Sequence, residues 1–205
     1  MKTTNTLLLG VVYSEEDRAS IGQERRDRVR CDALEDMGHD VYTLDDKHSS
    51  EDVKSCRHCQ ANFGDARRMI KLMTAQWGFE AFDYIILDYF FSPVGWARER
   101  WSATFFKETL VAFAENKRLK KHGVIILPNL QPVREGLELH EDLIKQYYQW
   151  EFMIDARENP LYVATENCAA HLSKCPGKLT NGNQLTGEHG FSAIPFYALR
   201  VKAKK

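Results

Sequence analysis

The sequence predicts a three-layer α/β sandwich whose sheet is mostly parallel and ends in an antiparallel C-terminal hairpin. Two observations support this fold class. Short apolar runs typical of buried strands alternate with segments whose apolar residues recur at helical spacing, as in a parallel sheet with helical crossovers. Further along the chain, residues 152–156 and 160–165 are short strand-like stretches joined by the turn RENP, which indicates the antiparallel pair.

The predicted strands are short, and turns or helices separate them. The third, within CRHCQANF, is the least apolar. The fourth, FDYIIL, contains an unbroken apolar run of the kind that is buried on both faces of a parallel sheet. Apart from the hairpin, the predicted strands cover residues 6–13, 39–45, 56–63, 82–87, 123–128 and 194–201.

The predicted helices lie between these strands and are bounded by turn residues. Gly38 ends the first helix, and the segment Gly64-Asp65-Ala66 leads into the second. The third ends in the basic segment KRLKKHG, whose positive charge suits the negative end of the helix dipole. The four helices are predicted over residues 19–37, 66–77, 103–119 and 135–149.

Length and charge limit the domain organisation and the partners. We expect one domain over residues 1–166, followed by an extension, 167–205, that holds a loop and a last strand. A hydrophobic content of 43% is enough to build a core. The formal net charge of -1 gives no overall attraction to nucleic acid, although a local basic patch is compatible with it. The oligomeric state is left open.

We expect a cytoplasmic or nuclear protein with no membrane partner. No apolar run approaches membrane-spanning length, and the N-terminal MKTTNTLLLGVVY has too short an apolar core for a secretory signal. The five cysteines are an odd number and fit reduced thiols better than a disulfide framework. Zinc is a weaker alternative, because the second half of the potential ligand set Cys56, Cys59, Cys168, His171 and Cys175 lacks compact spacing. We expect no metal.

The segment that follows the fourth strand is the strongest candidate for a functional site. Asp88 comes directly after an apolar strand, where a carboxylate costs free energy unless it is used or paired. Such strand ends form the edge at which open α/β sheets bind ligands. Three aromatic residues and a Pro-containing loop follow, and they cannot all point into one core. The plain alternative is that Asp88 caps the next helix or pairs with an arginine of the RER segment.

The order of elements, with the segments GDARRMIKLM and FDYIILDYFFSPVGWARERWSATFF, resembles the Rossmann-like class I S-adenosylmethionine-dependent methyltransferases. Within that group the two segments look most like the spermidine-synthase-like branch. The resemblance covers residues 6–166 at the level of element order. It implies a methyltransferase that uses S-adenosylmethionine as cofactor and acts on an unidentified small-molecule or nucleobase acceptor.

The resemblance also implies roles for individual residues. Asp45 would bind the cofactor ribose hydroxyls, Asp65 would accept a hydrogen bond from the adenine amino group, and Asp88 would face the transfer centre. These roles suit carboxylates, which only accept hydrogen bonds when ionised. The full cofactor set is Gly10, Asp45, Asp65, Ala66 and Asp88; the catalytic pair is Asp88 and Tyr89; the acceptor set is Phe90, Phe91, Pro93 and Trp96.

Other interpretations of the same residues remain open. Asp45 is also explained as a member of an exposed acidic pair with Asp46, and Asp65 as a helix N-terminal residue favoured by the dipole. The loop after Asp88 is also compatible with aminopropyl transfer to a polyamine. The first loop contains only Gly10, which fits a non-catalytic binding or scaffold protein that has lost the cofactor.

Overall fold

One seven-stranded sheet forms the centre of the computed structural model, which describes residues 3–9, 31, 33–45, 57–62, 65–87, 104–129, 131–161, 163 and 196–202. Its strands are β1 (Thr4–Leu9), β2 (His39–Asp45), β3 (Arg57–Gln60), β4 (Phe82–Leu87), β5 (Leu119–Pro128), β6 (Tyr148–Met153) and β7 (Phe196–Val201). Their order in the sheet is β3-β2-β1-β4-β5-β7-β6. The strands β1 to β5 are parallel to one another, and β7 is antiparallel to both β5 and β6.

Helices cover both faces of this sheet, which gives the three layers. Residues 31 and 33–36 are helical and pack on one face. On the other face pack α1 (Ala66–Trp77), a π-helical turn (Phe105–Thr109) that continues into α2 (Leu110–Glu115), α3 (Gln131–Leu139) and α4 (Glu141–Tyr147). The predicted fold class, a Rossmann-like α/β sandwich with antiparallel C-terminal strands, is confirmed.

Alternation along the strands explains why the apolar runs are continuous. Leu7 and Leu9 belong to the core cluster beneath α1 to α4, whereas Leu8 belongs to the cluster on the opposite face. All three side chains are fully buried. Because successive side chains of a strand point to opposite faces, a strand covered on both sides needs apolar residues at every position.

The second half of the first predicted helix and the strands β2, β3 and β4 agree with the sequence predictions. Gly38 ends the helical segment in a left-handed conformation, with φ of 84°, and its N–H donates to the Glu35 carbonyl. The strand β2 has the predicted bounds, and β3 lies within the predicted stretch. In β1 the described residues end at Leu9, so the predicted continuation through residue 13 lies outside the described residues.

The predicted helix over 103–119 is too long. Its regular part ends at Glu115, and Lys117 adopts a left-handed conformation with φ of 52°. Leu119 already belongs to β5, where it pairs with Phe82 of β4. The basic segment is therefore a turn and the start of a strand, not the end of a helix.

The predicted helix over 135–149 and the following hairpin are also wrong in detail. The helix starts at Gln131, breaks at His140 and ends at Tyr147. Residues 156–158 form a 3₁₀ turn, and residues 160, 161 and 163 are helical, so the described parts of the two stretches around RENP do not pair. The antiparallel partner of β6 is β7, the predicted last strand. The predicted boundary between residues 166 and 167 lies outside the described residues.

Arg118 explains where the chain turns into β5. Its side chain is 1% exposed and donates hydrogen bonds to the Gly78 carbonyl (2.7 Å), the Glu80 carbonyl (3.2 Å) and the Thr74 hydroxyl. These acceptors lie at the end of α1 and in the turn before β4. A single buried guanidinium thus joins the α1–β4 connection to the α2–β5 connection.

Among the described residues, no helix is both long enough and apolar enough to cross a lipid bilayer.

Replacing Arg118 tests this link. We expect Arg118→Met to lower the free energy of unfolding by about 3 kcal/mol, because three acceptors of partly buried hydrogen bonds lose their shared donor. Lys121→Met, the same kind of change at an exposed position of β5, is the control and changes stability by less than about 0.5 kcal/mol. Urea denaturation measures both. Equal midpoints for Arg118→Met and the unmodified protein would contradict the assignment.

Candidate functional site

The described parts of three neighbouring strands end at one level, which we take as one edge of the sheet. Leu9 of β1 pairs with Leu44 of β2 on one side and with Leu87 of β4 on the other. All three leucines are at most 3% exposed, so each strand is buried up to its carboxyl end. We call this edge, formed by the carboxyl ends of β1, β2 and β4, the switch-point edge.

The connections that leave the neighbouring strands β1 and β4 run over opposite faces of the sheet. The helical residues 33–36 between β1 and β2 pack on one face, and the π turn and α2 between β4 and β5 pack on the other. Where the connections from two neighbouring strands diverge in this way, a crevice opens between the strands at their carboxyl ends. The crevice falls between β1 and β4. Open α/β sheets bind their ligands at this point.

The sequence-predicted site residues follow or end these strands. Asp45 is the last residue of β2, and its backbone pairs with Gln60 of β3. Its side chain lies outside what the structure describes. Gly10 and Asp88 follow Leu9 and Leu87 in the sequence. The predicted residues Gly10, Asp88, Tyr89, Phe90, Phe91, Pro93 and Trp96 all lie outside the described residues.

Asp65 and Ala66 lie beyond the end of β3, on the same side of the sheet as the switch-point edge. Asp65 is the N-cap of α1, and its exposed carboxylate accepts the Arg68 N–H at 2.9 Å. Ala66 is the first residue of the helix and is buried. The alternative interpretation of Asp65, a residue at a helix N-terminus, therefore describes its position correctly. Its role toward an adenine remains a prediction.

A π-helical turn follows the predicted acceptor loop, and the apolar spacing did not predict it. Residues Phe105–Thr109 form this turn, and both phenylalanines are buried. Gly136 of α3 makes room for Phe106, because a Cβ at that position would lie 2.0 Å from Cε2 of the ring. Helical spacing cannot separate a π turn from an α turn, so the periodicity predicted one regular helix. Such turns occur frequently at functional sites.

Burial determines the state of the one described cysteine in the potential zinc set. Cys59 is 1% exposed, and this burial raises its pKa to about 11. A thiol in such surroundings is protonated at neutral pH, whereas zinc binds the thiolate. Within the described ranges, no group of three or more His, Cys, Asp or Glu side chains comes together. Cys56, Cys168, His171 and Cys175 lie outside those ranges.

No protein-family model matches this sequence, and no curated protein matches it either. Two crystal forms of MycE, a methyltransferase from the mycinamycin biosynthetic pathway in complex with Mg and SAH, are similar to it in structure. Form 1 has a TM-score of 0.42 and 16% identity, and the match covers 71% of this chain and 32% of that one. Form 2 has a TM-score of 0.44 and 12% identity, and covers 96% and 44%.

The chain thus spans less than half the length of either MycE structure. Both TM-scores are below 0.5, so the likeness adds no weight to a functional assignment. The observations that bear on function are therefore the strand order and the switch-point edge of this chain.

Substitution of Asp65 separates its capping role from any role in binding. We expect Asp65→Ala to destabilise the protein by about 1 kcal/mol, because α1 loses its N-cap acceptor. Asp65→Asn keeps an acceptor of the same shape and leaves stability nearly unchanged. Thermal denaturation of both variants measures the difference. Equal melting temperatures for Ala and Asn would show that the cap contributes nothing.

Alkylation tests the state of Cys59. At pH 8 the folded protein leaves Cys59 unmodified by iodoacetamide, because the thiol is buried and its pKa is raised to about 11. In urea the same thiol reacts. Peptide mass spectrometry measures the labelling of Cys59 in the folded state and in urea, separately from that of the other cysteines. Rapid labelling of Cys59 in the folded state would contradict the burial.

Proposed function

We propose that the chain is an S-adenosylmethionine-dependent methyltransferase that acts on a small-molecule or nucleobase acceptor. The observation that supports this most is the switch-point edge, at which β2 ends on Asp45 and the described part of β4 ends immediately before Asp88. An acid at the end of β2, next to β1, and another directly after β4 suit a ligand that carries hydroxyl groups and a positive charge.

The residues near this edge fit an adenosine-type cofactor. The backbone after Leu9 enters Gly10, which has no side chain to block a close approach by a ligand. Asp45 supplies a carboxylate for two vicinal hydroxyls. Asp65 uses one oxygen for the Arg68 N–H, and a carboxylate offers further lone pairs for an amino donor. The short side chain of Ala66 leaves room for a ligand at the start of α1.

When bound, S-adenosylmethionine supplies a methyl group activated by a positively charged sulfur. Asp88 would orient the acceptor or take its proton, and Tyr89 would lie beside it. The aromatic rings of Phe90, Phe91 and Trp96 would exclude water, stack on a flat acceptor and favour a cation nearby. Catalysis would then come mainly from alignment, for which rigid strand ends are suited.

The π turn supports a precise placement of the predicted acceptor loop. Phe105 and Phe106 are buried and their rings meet edge to face, with centroids 5.3 Å apart. The residues on either side of the predicted acceptor loop, Leu87 and this aromatic pair, are both buried in the core. Restricted loop ends reduce the conformational freedom lost on binding.

We expect S-adenosylhomocysteine to bind with one-to-one stoichiometry in isothermal titration. Asp45→Asn should weaken binding by about tenfold or more, because ribose hydroxyls lose a charged acceptor. Asp142→Asn, at an exposed position of α4, is the control and leaves affinity unchanged. Absence of binding at about 1 mM ligand, a weak limit on the affinity scale, would contradict the proposal and favour the scaffold interpretation.

The acceptor chemistry needs a separate measurement. We expect Asp88→Asn to keep the affinity for S-adenosylhomocysteine within about tenfold while methyl transfer to an acceptor falls by a factor on the order of 100 or more. A panel of small amines, phenols and nucleosides with radiolabelled S-adenosylmethionine identifies the acceptor class. Turnover with putrescine and the decarboxylated cofactor, and with none of the methyl acceptors, would instead favour the spermidine-synthase-like alternative.

A further inference from the structure

A pocket of about 410 Å³ lies on the face of the sheet opposite α1 to α4. Tyr84, Val124 and Arg200 stand side by side on β4, β5 and β7 and form part of its floor. Tyr84 lies three residues before the end of β4, about 10 Å from the switch-point edge along that strand. On β7 the pocket extends to Phe196, which pairs with Pro128 of β5. The lining includes none of the leucines that define the switch-point edge.

One part of this pocket is planar and aromatic. The rings of His39 and Tyr84 are stacked, with centroids 6.2 Å apart and planes 24° apart. The Thr6 hydroxyl and His39 Nδ1 are 2.8 Å apart and hydrogen-bonded, which fixes the imidazole orientation. Burial lowers the pKa of His39, so the ring is neutral near pH 7. These rings offer a flat, uncharged surface.

Much of the remaining lining is apolar. Ala198 lies on the same face of β7 as Phe196 and Arg200, and its short side chain leaves space between them. Pro160 and Val163 form part of the wall. The volume is within the usual range for pockets that bind small molecules.

The charged side chains of the lining are two arginines and one glutamate. Arg200 forms ion pairs with Glu151 (3.2 Å) and with Glu158 (3.7 Å), and Glu158 also lines the pocket. Arg157 lines it too, and no ion pair among the described residues involves its side chain. Its backbone N–H is held by the Asp155 carboxylate at 2.9 Å, which fixes the turn that carries it.

We propose that this pocket binds a small, planar aromatic molecule with a single negatively charged group. The ring would lie against the stacked His39 and Tyr84, and the charged group would accept hydrogen bonds from Arg157. Guanidinium groups are suited to planar carboxylates, because their donors match the two oxygens. This site is separate from the switch-point edge and does not depend on the function proposed for that edge.

The probe is 2-naphthoate, with the uncharged 2-naphthamide as its matched analogue, both measured by isothermal titration. We expect 2-naphthoate to bind at one site and the amide to bind about tenfold more weakly. Arg157→Gln should weaken naphthoate binding by about tenfold and leave the amide unchanged. Arg134→Gln, which removes an exposed arginine of α3, is the control and changes neither affinity.

A second variant tests the location without changing charge. Val163→Trp adds a large side chain to the wall and should abolish binding of both compounds. Saturating S-adenosylhomocysteine should leave naphthoate affinity unchanged, which separates this site from the candidate cofactor site. The proposal is overturned by absence of saturable naphthoate binding, by an Arg157→Gln affinity equal to that of the unmodified protein, or by binding that survives Val163→Trp.

Discussion

Burial of β1 on both faces is the constraint on which the rest of the architecture depends. Leu7, Leu8 and Leu9 are fully buried, two against one helical layer and one against the other. A one-residue slip of this strand would exchange the two faces and put the wrong side chains into each core. The register with β2 and β4 is therefore well determined. The same register brings three strand ends to one level and creates the edge at which a ligand can bind.

Local patterns in the sequence were sufficient for most of the parallel sheet. The bounds of β2 and the apolar run of β4 follow from residues within each segment, because a strand buried on both faces has a distinctive composition. Predictions failed where distant contacts decide the structure. The turn before β5 depends on hydrogen bonds from Arg118 to residues 38 and 40 positions earlier in the chain. The strand β6 exists because β7, far along the chain, supplies its hydrogen-bond partners.

The candidate site shows the same division. An acidic residue directly before an apolar helical pattern predicts an N-cap, and Asp65 is the N-cap of α1. The local sequence does not predict the π turn at Phe105–Thr109, because this turn depends on how Phe106 packs beside Gly136 of another helix. The pocket lined by His39 and Tyr84 was also invisible in the sequence. Its lining comes from five strands and from segments that the chain order keeps far apart, so no local motif marks it.

The position of β7 has a consequence for biosynthesis. This strand lies between β5 and β6, although both of these precede it in the chain. While the ribosome is translating, β5 and β6 emerge with their central neighbour still missing, and each exposes unsatisfied backbone donors and acceptors. The nascent chain can order its parallel half first, but the antiparallel half must wait for residues 196–201. During that interval the unpaired edges of these two strands are open to pairing with other chains.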